Sequence, residues 1–330
     1  MKIFFLISLL KKILIIRNSE NIISKYYFQN EMKTPMHMSK GEELVVSAAV
    51  LTFLKNSDFF GYYRSHALYL SVTEDLKSFF GEMYGKVIGE NKGITGSMHI
   101  FNPKKNIKLV SAIVASTIAP AVGSAYANLI KKNNRFTVSF FGDGATEEGV
   151  FWESMNFSCL KKIPIIFICL NNKIAVDVMI KERQSYKINE IVKKFNLKTY
   201  TISSFDILKI CNVYNDASNY IKKHGGPIFI EANYYRQLQH IGVNDDFNNA
   251  SNNFEKKNYR SRLEHKFYAK KDPYLLIKKF VLEKKLISLK KLNSYEDNLK
   301  LKLEKIIKLV KKSKTLKNTI SSRNVYYENR

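Results

Sequence analysis

The order of apolar and polar positions along the 330 residues predicts alternating helices and short buried strands. Apolar residues recur at helical spacing from Ile3 to about Phe28, and the same spacing returns from Ser71 to Tyr84. Phe136 to Phe141 and Ile163 to Leu170 are continuous apolar runs of strand length, and Glu147 to Leu160 between them has helical spacing. Strand, helix and strand in that order predict a parallel crossover unit that is buried on both faces, and therefore an α/β protein.

The alternation continues toward the carboxyl end of the chain. Lys198 to Ile202 and Pro227 to Ala232 have strand character, and Ile207 to Lys223 between them has helical character. The pattern predicts a mostly parallel, doubly wound sheet flanked by helices, with extra helical segments over about 1–56 and about 272–330. Because no internal repeat or low-complexity linker interrupts the sequence, we expect a single domain over the whole chain.

Three local patterns lead to more specific predictions. A second helix is predicted to begin at Ser39, with Glu42 and Glu43 three and four residues on, as in a capping box. The polar and aromatic stretch from Asp58 to His66 is typical of a loop. Gly242 to Asn258 is rich in Asn, Asp and Ser, which indicates a mobile loop.

Composition narrows the class of protein. A hydrophobic content of 45% is sufficient for a sizeable core, which favours a globular enzyme over a disordered tail protein. The net charge of +25 would ordinarily indicate nucleic acid or an anionic membrane as partner. However, nine of the 54 basic residues are arginine and the rest are lysine, amid abundant Asn and Ile, so most of the charge is compositional background. A chain that defaults to lysine is expected to keep arginine where a planar, forked guanidinium is needed.

The cysteines and the amino terminus bear on location. The three cysteines form no CxxC pair and no metal-like cluster, so we expect free thiols in a reducing cytoplasm. The first apolar run is interrupted by Lys11 and Lys12 and no small-residue cleavage site follows, so it is expected to form a helix that packs on the domain or on a partner. No segment approaches the roughly 20 apolar residues of a membrane span.

Candidate chemistry lies directly after the two central strands. Gly142-Asp143-Gly144 follows the first strand and Asn171-Asn172 follows the second. The carboxyl ends of parallel strands share one edge of the sheet, where ligands bind. The anionic oxygen of Asp143 and the neutral oxygen of Asn172 suit Mg²⁺, and the glycines allow close approach of a phosphate. Either motif alone is compatible with an ordinary turn, but the two joined by one strand-helix-strand unit predict a phosphate and metal site.

The segment GDGATEEGVFWESMNFSCLKKIPIIFICLNNKIAV resembles the cofactor-binding segment of the alpha subunits of thiamine-diphosphate-dependent 2-oxo acid dehydrogenases. The resemblance implies a thiamine-diphosphate-binding fold in which Asp143 and Asn172 bind Mg²⁺ through side chains. Ile174 would bind the metal through its backbone carbonyl, although the family usually has tyrosine there. The cofactor-binding residues implied in this segment are Gly142, Asp143, Gly144, Ala145, Asn172 and Ile174.

The resemblance extends over nearly the whole chain. In YYRSHALYL, Tyr63 and Arg64 occupy the positions that reach the cofactor's diphosphate, and His66 would lie near the reacting centre as a catalytic residue. Gly96-Ser97-Met98-His99 resembles a loop that lines the cofactor cleft. Ile113 and Ala115 fall where the family offers backbone hydrogen bonds to the aminopyrimidine ring. Ala115 replaces the usual glycine there, which it can do if its backbone dihedral angles are ordinary.

The family's active-site histidine falls on His240 within ANYYRQLQHIG, where it would be catalytic and contact the cofactor. Gln239 and Ile241 replace the glycine and serine that usually flank it. The remaining histidines with no comparable context are interpreted as structural or surface residues, namely His37, His224 and His265.

By resemblance the chain decarboxylates a pyruvate-like 2-oxo acid with thiamine diphosphate and Mg²⁺ and passes the acyl group to a lipoyl-bearing transacylase. No second cofactor domain is evident, so the resemblance implies a beta subunit and an α2β2 heterotetramer, with neither nucleic acid nor membrane as partner. Two alternatives stay open: a split, transketolase-like thiamine enzyme without a lipoyl partner, and a basic nucleic-acid-binding protein.

Overall fold

A parallel six-stranded sheet forms the centre of the molecule in a computed structural model that describes residues 3–245 and 260–316. The strands are β1 (Ser57–Tyr62), β2 (Ile107–Ser111), β3 (Phe136–Gly142), β4 (Ile165–Asn171), β7 (Lys198–Ser203) and β8 (Ile228–Asn233). They lie in the order β2-β1-β3-β4-β8-β7, and every pairing in this sheet is parallel. A separate antiparallel pair joins β5 (Ile174–Ala175) to β6 (Val178–Met179).

Helices cover both faces of the sheet. They are α1 (Ile3–Tyr26), α2 (Glu43–Phe53), α3 (His66–Thr73), α4 (Leu76–Met83), α5 (Ile118–Ile130), α6 (Gly149–Leu160), α7 (Ile180–Arg183), α8 (Ile188–Val192), α9 (Ile207–His224), α10 (Arg262–Ala269), α11 (Pro273–Glu283) and α12 (Leu289–Lys312). Strand β4 shows the layering: Ile166 and Ile168 belong to the core shared with α1, α2 and α9, and Phe167 and Cys169 to the core under α5 and α6. The predicted doubly wound α/β architecture is confirmed.

The loop predicted over Asp58 to His66 was wrong. Residues Ser57 to Tyr62 form the buried strand β1, and α3 begins at His66. Polar residues are tolerated in this strand because they have partners: the buried carboxylate of Asp58 accepts from Arg135 Nη2 at 2.8 Å. The polar residues are visible in the local sequence, but their partners lie elsewhere in the chain. The segment is a strand because those partners meet it in the folded protein.

The predicted capping box at Ser39 was also wrong, because α2 begins at Glu43. The Ser39 hydroxyl accepts instead from the backbone N–H of Ala67 at 3.0 Å. The carboxylate of Glu42 accepts from the Tyr62 hydroxyl at 2.6 Å, and Glu43 pairs with a buried arginine. Each of these polar groups has a tertiary partner in place of a cap.

The predicted helix over Ser71 to Tyr84 is two helices. Glu74 has a φ of 53°, which ends α3, and Asp75 then accepts from the backbone N–H of Ser78 at 3.0 Å to start α4. The loop predicted over Gly242 to Asn258 lies mostly outside the described residues.

The amino-terminal helix is a core element. Most of α1 is buried against α2, α3, α11 and α12, as expected for a helix that packs on the domain. Arg17 at its centre donates to Glu43 at 2.7 Å and to Asp272, at the start of α11, at 2.6 Å. This buried triad joins the two ends of the chain. None of the helices in the described ranges is long and apolar enough to span a membrane.

Candidate active site

A cavity of about 160 Å³ opens at the carboxyl ends of β3 and β4. Many of the residues predicted from the sequence line it together: Tyr63, Ile113, Ala115, Gly142, Asp143, Gly144, Ala145, Asn172, Ile174 and His240. These residues come from five separate segments of the chain. The shared edge of the parallel sheet accounts for the meeting of the Gly142 and Asn172 segments, since Gly142 pairs with Leu170 in the sheet.

Asp143 and Asn172 face this cavity from adjacent strand ends. Asp143 is 1% exposed, and burial raises the pKa of its carboxyl group; the charge of Arg183 and hydrogen bonds from the backbone of Asp143 and Asn172 oppose that rise. Asn172 Oδ1 accepts from the backbone N–H of Ile174 at 3.0 Å, so the turn after β4 is held against the side chain that begins it. The donor set is one carboxylate, one amide oxygen and nearby backbone carbonyls, which are the hard oxygen ligands that Mg²⁺ prefers.

A cationic group already lies on the predicted metal ligand. The Arg183 guanidinium is ion-paired with Asp143 through Nη2 and with Glu147 through Nη1. The pair shows that this buried carboxylate can hold a positive charge at the edge of the cavity. The residues present therefore fit a divalent ion.

The glycine-containing turn is held close to the segment that follows Asn172. A Cβ atom on Gly144 would lie 3.2 Å from the Cβ of Ala175, a contact tighter than most. At Gly142 an added Cβ would meet only the ring of Tyr62, at 3.8 Å. Gly144 is thus the glycine that close packing requires, and α6 begins at Gly149 beyond this turn.

Three rings form one wall of the cavity. His37, Tyr63 and His240 contact one another with ring centroids 4.8 to 5.3 Å apart. Burial, together with the positive charge of Arg64, lowers the pKa of His37 to about 2 and that of His240 to about 3. Both imidazoles are therefore neutral at neutral pH, and each keeps one ring nitrogen able to accept a hydrogen bond.

His37 is a residue that sequence reasoning missed, because it was interpreted as structural or surface. It lines the cavity and is 3% exposed, and its Nδ1 has no hydrogen-bond partner among the described residues. The backbone N–H of Gly242 donates to Met36 O at 2.8 Å, which brings the segment of His37 beside that of His240. No local pattern around His37 could have predicted this contact across two hundred residues.

Two predicted residues do not line the cavity. His66 is fully buried; its Nδ1 lies 3.0 Å from Glu20 Oε1 and its Nε2 lies 2.7 Å from Ser97 Oγ. Both ring nitrogens are engaged inside the protein, which favours a structural role over the predicted catalytic one. Arg64 lies behind the wall: Nη1 donates to Met38 O at 2.6 Å, and Nη2 is 3.5 Å from His240 O. It supports the two segments that carry His37 and His240.

Ala115 has a left-handed backbone conformation. Its φ is +59°, in the left-handed region that favours glycine. Alanine could replace glycine here on condition that its dihedral angles are ordinary, and this condition is not met; the backbone at this position is strained by about 1 kcal/mol. The neighbouring Ile113 side chain is 71% exposed at the mouth of the cavity.

Two further residues hold Asn172 in place. Asn172 Nδ2 donates to the Tyr234 hydroxyl at 3.0 Å, and Arg260 Nη2 donates to Asn172 O at 2.8 Å. Arg260 also donates to Arg236 O and lies over the ring of Tyr235. The scarcity of arginine was the signal in the sequence that could have indicated such structural contacts. Four of the arginines are buried, namely Arg17, Arg64, Arg236 and Arg260.

The chain is similar in sequence to known proteins over almost its full length. A family model described as dehydrogenase E1 component matches residues 11–319. A pyruvate dehydrogenase E1 component subunit alpha of Porphyra purpurea is 30% identical over 319 residues, which covers 93% of this chain and 89% of that protein. The chloroplastic subunit alpha-3 of Arabidopsis thaliana is 28% identical over 85% of this chain and 64% of its own length. The corresponding alpha subunit of Rickettsia felis is 26% identical over 92% and 90%.

Proposed function

The chain belongs to the dehydrogenase E1 component family, and on that premise we propose that it is the alpha subunit of a pyruvate-type 2-oxo acid dehydrogenase that holds thiamine diphosphate through Mg²⁺. It acts as an oxidoreductase component that decarboxylates a 2-oxo acid and passes the acyl group to a lipoyl-bearing transacylase. The observation that carries the proposal is the convergence of Asp143 and Asn172 on one cavity beside the glycine turn. The whole chain is proposed to form one cofactor-binding domain in the cytoplasm.

The cofactor would be held by residues from both sides of the cavity. Asp143 and Asn172 side chains and the Ile174 carbonyl would bind Mg²⁺. The diphosphate would lie against Tyr63 and the turn Gly142, Gly144 and Ala145, and the aminopyrimidine ring would lie against the backbone of Ile113 and Ala115. When bound, thiamine diphosphate would supply a nucleophilic carbon for the carbonyl group of the 2-oxo acid and a cationic ring that accepts the electrons released by decarboxylation.

The chain's own contribution to the chemistry is made by the ring wall. The neutral imidazoles of His37 and His240 offer ring nitrogens for hydrogen bonds to a substrate in the cavity, and their low pKa values keep both rings uncharged there. Tyr63 packs against both rings and fixes their orientation. Phe141, Ile174 and Val176 give the cavity an apolar lining that limits access of water.

A second subunit is needed to complete the site. Among the described residues that line the cavity, Asp143 is the only carboxylate, and it is assigned to the metal. The resemblance implies a carboxylate that activates the aminopyrimidine ring, and we assign this carboxylate to a beta subunit in an α2β2 heterotetramer. Ile113 and Val114 are 71% and 47% exposed beside the cavity, as expected for residues that a partner covers.

The relatives favour this function over the alternatives. The three proteins reported above are named as pyruvate dehydrogenase subunits, whereas a split transketolase-like enzyme would act without a lipoyl partner. Family membership over residues 11–319 also argues against a nucleic-acid-binding protein with a chance motif.

The test is binding of thiamine diphosphate to the chain coexpressed with its beta subunit, with and without Mg²⁺. Asp143→Ala is expected to weaken Mg²⁺-dependent binding by about 100-fold or more, because it removes a direct metal ligand. Asp297→Ala, which changes a surface carboxylate that is 70% exposed, serves as the control. Unchanged binding in Asp143→Ala would refute the proposal.

A further inference from the structure

Arg183 forms a two-pronged contact with the turn that follows β3. Its Nη2 pairs with Asp143, its Nη1 pairs with Glu147, and its side chain is 11% exposed. Arg183 Nε lies 3.3 Å from the backbone oxygen of Val178, in the β5–β6 hairpin that precedes α7. Across the described ranges, no other cationic side chain is within ion-pair distance of Asp143.

The position of this guanidinium conflicts with metal binding. Asp143 is almost fully buried and also accepts hydrogen bonds from backbone N–H groups, so few of its lone pairs remain. An oxygen that accepts from a guanidinium is not free to bind Mg²⁺ on the same side, and two cations close together repel each other. Binding of the metal at Asp143 Oδ2 therefore requires that Arg183 Nη2 leave this oxygen.

We propose that Arg183 is an exchangeable counter-cation, which neutralises Asp143 before Mg²⁺ binds and moves onto Glu147 alone when the metal takes its place. The inference rests on the proposed function, because it assumes that Asp143 binds the metal. Its consequence is that Arg183 stabilises the cofactor-free protein and lowers the apparent affinity for Mg²⁺. A protein that is competent to bind for only part of the time shows an affinity reduced by that fraction.

The surroundings of Arg183 allow such a movement without loss of the local structure. Helix α7 has four residues and follows the β5–β6 hairpin, so the arginine is on a short connection. Gln184 Nε2 donates to Glu147 Oε1 at 2.8 Å and to Thr146 Oγ1 at 3.0 Å. The Tyr186 hydroxyl donates to Thr146 O at 3.2 Å. These contacts keep the segment in place while one prong of Arg183 is released.

Removal of Arg183 changes the Mg²⁺ affinity in opposite directions in the two possible arrangements. If Arg183 instead remained in place and contacted the diphosphate, its removal would weaken binding of the cofactor and metal. If it competes with the metal, its removal strengthens binding of Mg²⁺. Two variants, Arg183→Gln and Arg183→Lys, are therefore compared with the wild type. Each is measured in the complex with the beta subunit, by calorimetric titration of Mg²⁺ at saturating thiamine diphosphate.

Arg183→Gln is expected to bind Mg²⁺ about 3- to 30-fold more tightly than the wild type, as is reasonable for loss of a partly buried competing ion pair. Its melting temperature without Mg²⁺ and cofactor is expected to fall, because Asp143 loses its counter-charge. Arg183→Lys keeps the charge without the forked guanidinium, so its Mg²⁺ affinity is expected to lie between those of the wild type and Arg183→Gln. If Arg183→Gln fails to fold, the affinity of Arg183→Lys provides the test. Arg135→Gln, which breaks a comparable pair with Asp58 away from the cavity, should leave the Mg²⁺ affinity unchanged.

The outcomes separate this inference from the proposed function. If Asp143→Ala abolishes Mg²⁺-dependent binding while Arg183→Gln binds the metal equally or more weakly, the inference is overturned and the function stands. If Asp143→Ala binds Mg²⁺ and cofactor as the wild type does, the proposed function is refuted, and the inference that rests on it is refuted with it. Tighter binding in Arg183→Gln together with lower stability of the cofactor-free complex supports the exchange.

Discussion

Replacement of Glu82 by glutamine should destabilise the loop that leads into the cavity. Glu82 lies in α4 and is 1% exposed. Its Oε2 accepts from the backbone N–H groups of Asn91 and Gly93 at 2.8 and 2.9 Å. Its Oε1 accepts from the backbone N–H groups of Thr95 and Gly96 at 2.7 and 3.0 Å, and from the Thr95 hydroxyl at 2.9 Å. One carboxylate thus holds the whole turn that precedes Met98, a cavity-lining residue.

The magnitude follows from the number of donors. A glutamine keeps one acceptor oxygen and puts an amide NH₂ where the other oxygen was, so two backbone N–H groups lose their acceptor and face a donor. Hydrogen bonds to a charged acceptor contribute about 1.5–3 kcal/mol each, so Glu82→Gln is expected to lower the free energy of unfolding by roughly 3–6 kcal/mol. For a chain of this size that corresponds to a melting temperature lower by roughly 10 °C.

Thermal unfolding of the complex and amide hydrogen exchange over residues 89–98 provide the assay. Exchange should accelerate in this peptide, since its N–H groups lose their acceptor. Glu283→Gln makes the same chemical change at a carboxylate that is 62% exposed and 3.7 Å from Lys279, and it should leave both measurements near those of the wild type. An equally small effect in Glu82→Gln would refute the reasoning that the carboxylate is the acceptor that holds this turn.

Three other changes have expected outcomes of different sign. Ala115→Gly should raise the free energy of unfolding by about 1 kcal/mol, measured by denaturant titration, because φ is +59° there, whereas Ala127→Gly on an exposed turn of α5 should lower it by a similar amount. Burial lowers the pKa of His37 from 6.5 to about 2, so its contribution to stability is complete above the unfolded pKa and is lost as the pH falls. His37→Asn should therefore flatten the acid loss of stability by up to about 1.4 kcal/mol per pH unit between about pH 6.5 and about pH 2. Tyr234→Phe removes the hydroxyl that accepts from Asn172 Nδ2 and should weaken Mg²⁺ binding about tenfold in calorimetry, with near-native melting; unchanged affinity would contradict the positioning role.

Local sequence patterns were sufficient to predict the α/β class and the edge of the sheet at which the candidate site lies. Continuous apolar runs on either side of a helical pattern are local signals, because a strand buried on both faces needs them whatever surrounds it. Parallel topology then places Asp143 and Asn172 at the same edge without further information, and the structure has both at one cavity. The scarcity of arginine was also a usable signal, since Arg64 and Arg260 are buried beside the site.

Contacts between distant parts of the chain determine which side chains reach the cavity. His37 joins the cavity because its segment pairs with that of Gly242, whereas His66 is taken up by Glu20 and Ser97. The left-handed backbone of Ala115 is likewise a property of how its turn is held. Local periodicity reports which residues share a strand or a helix face, but it carries no information on which loops meet. Contacts between residues far apart in the chain are set by packing of the whole fold, and this packing determines the surroundings of each histidine.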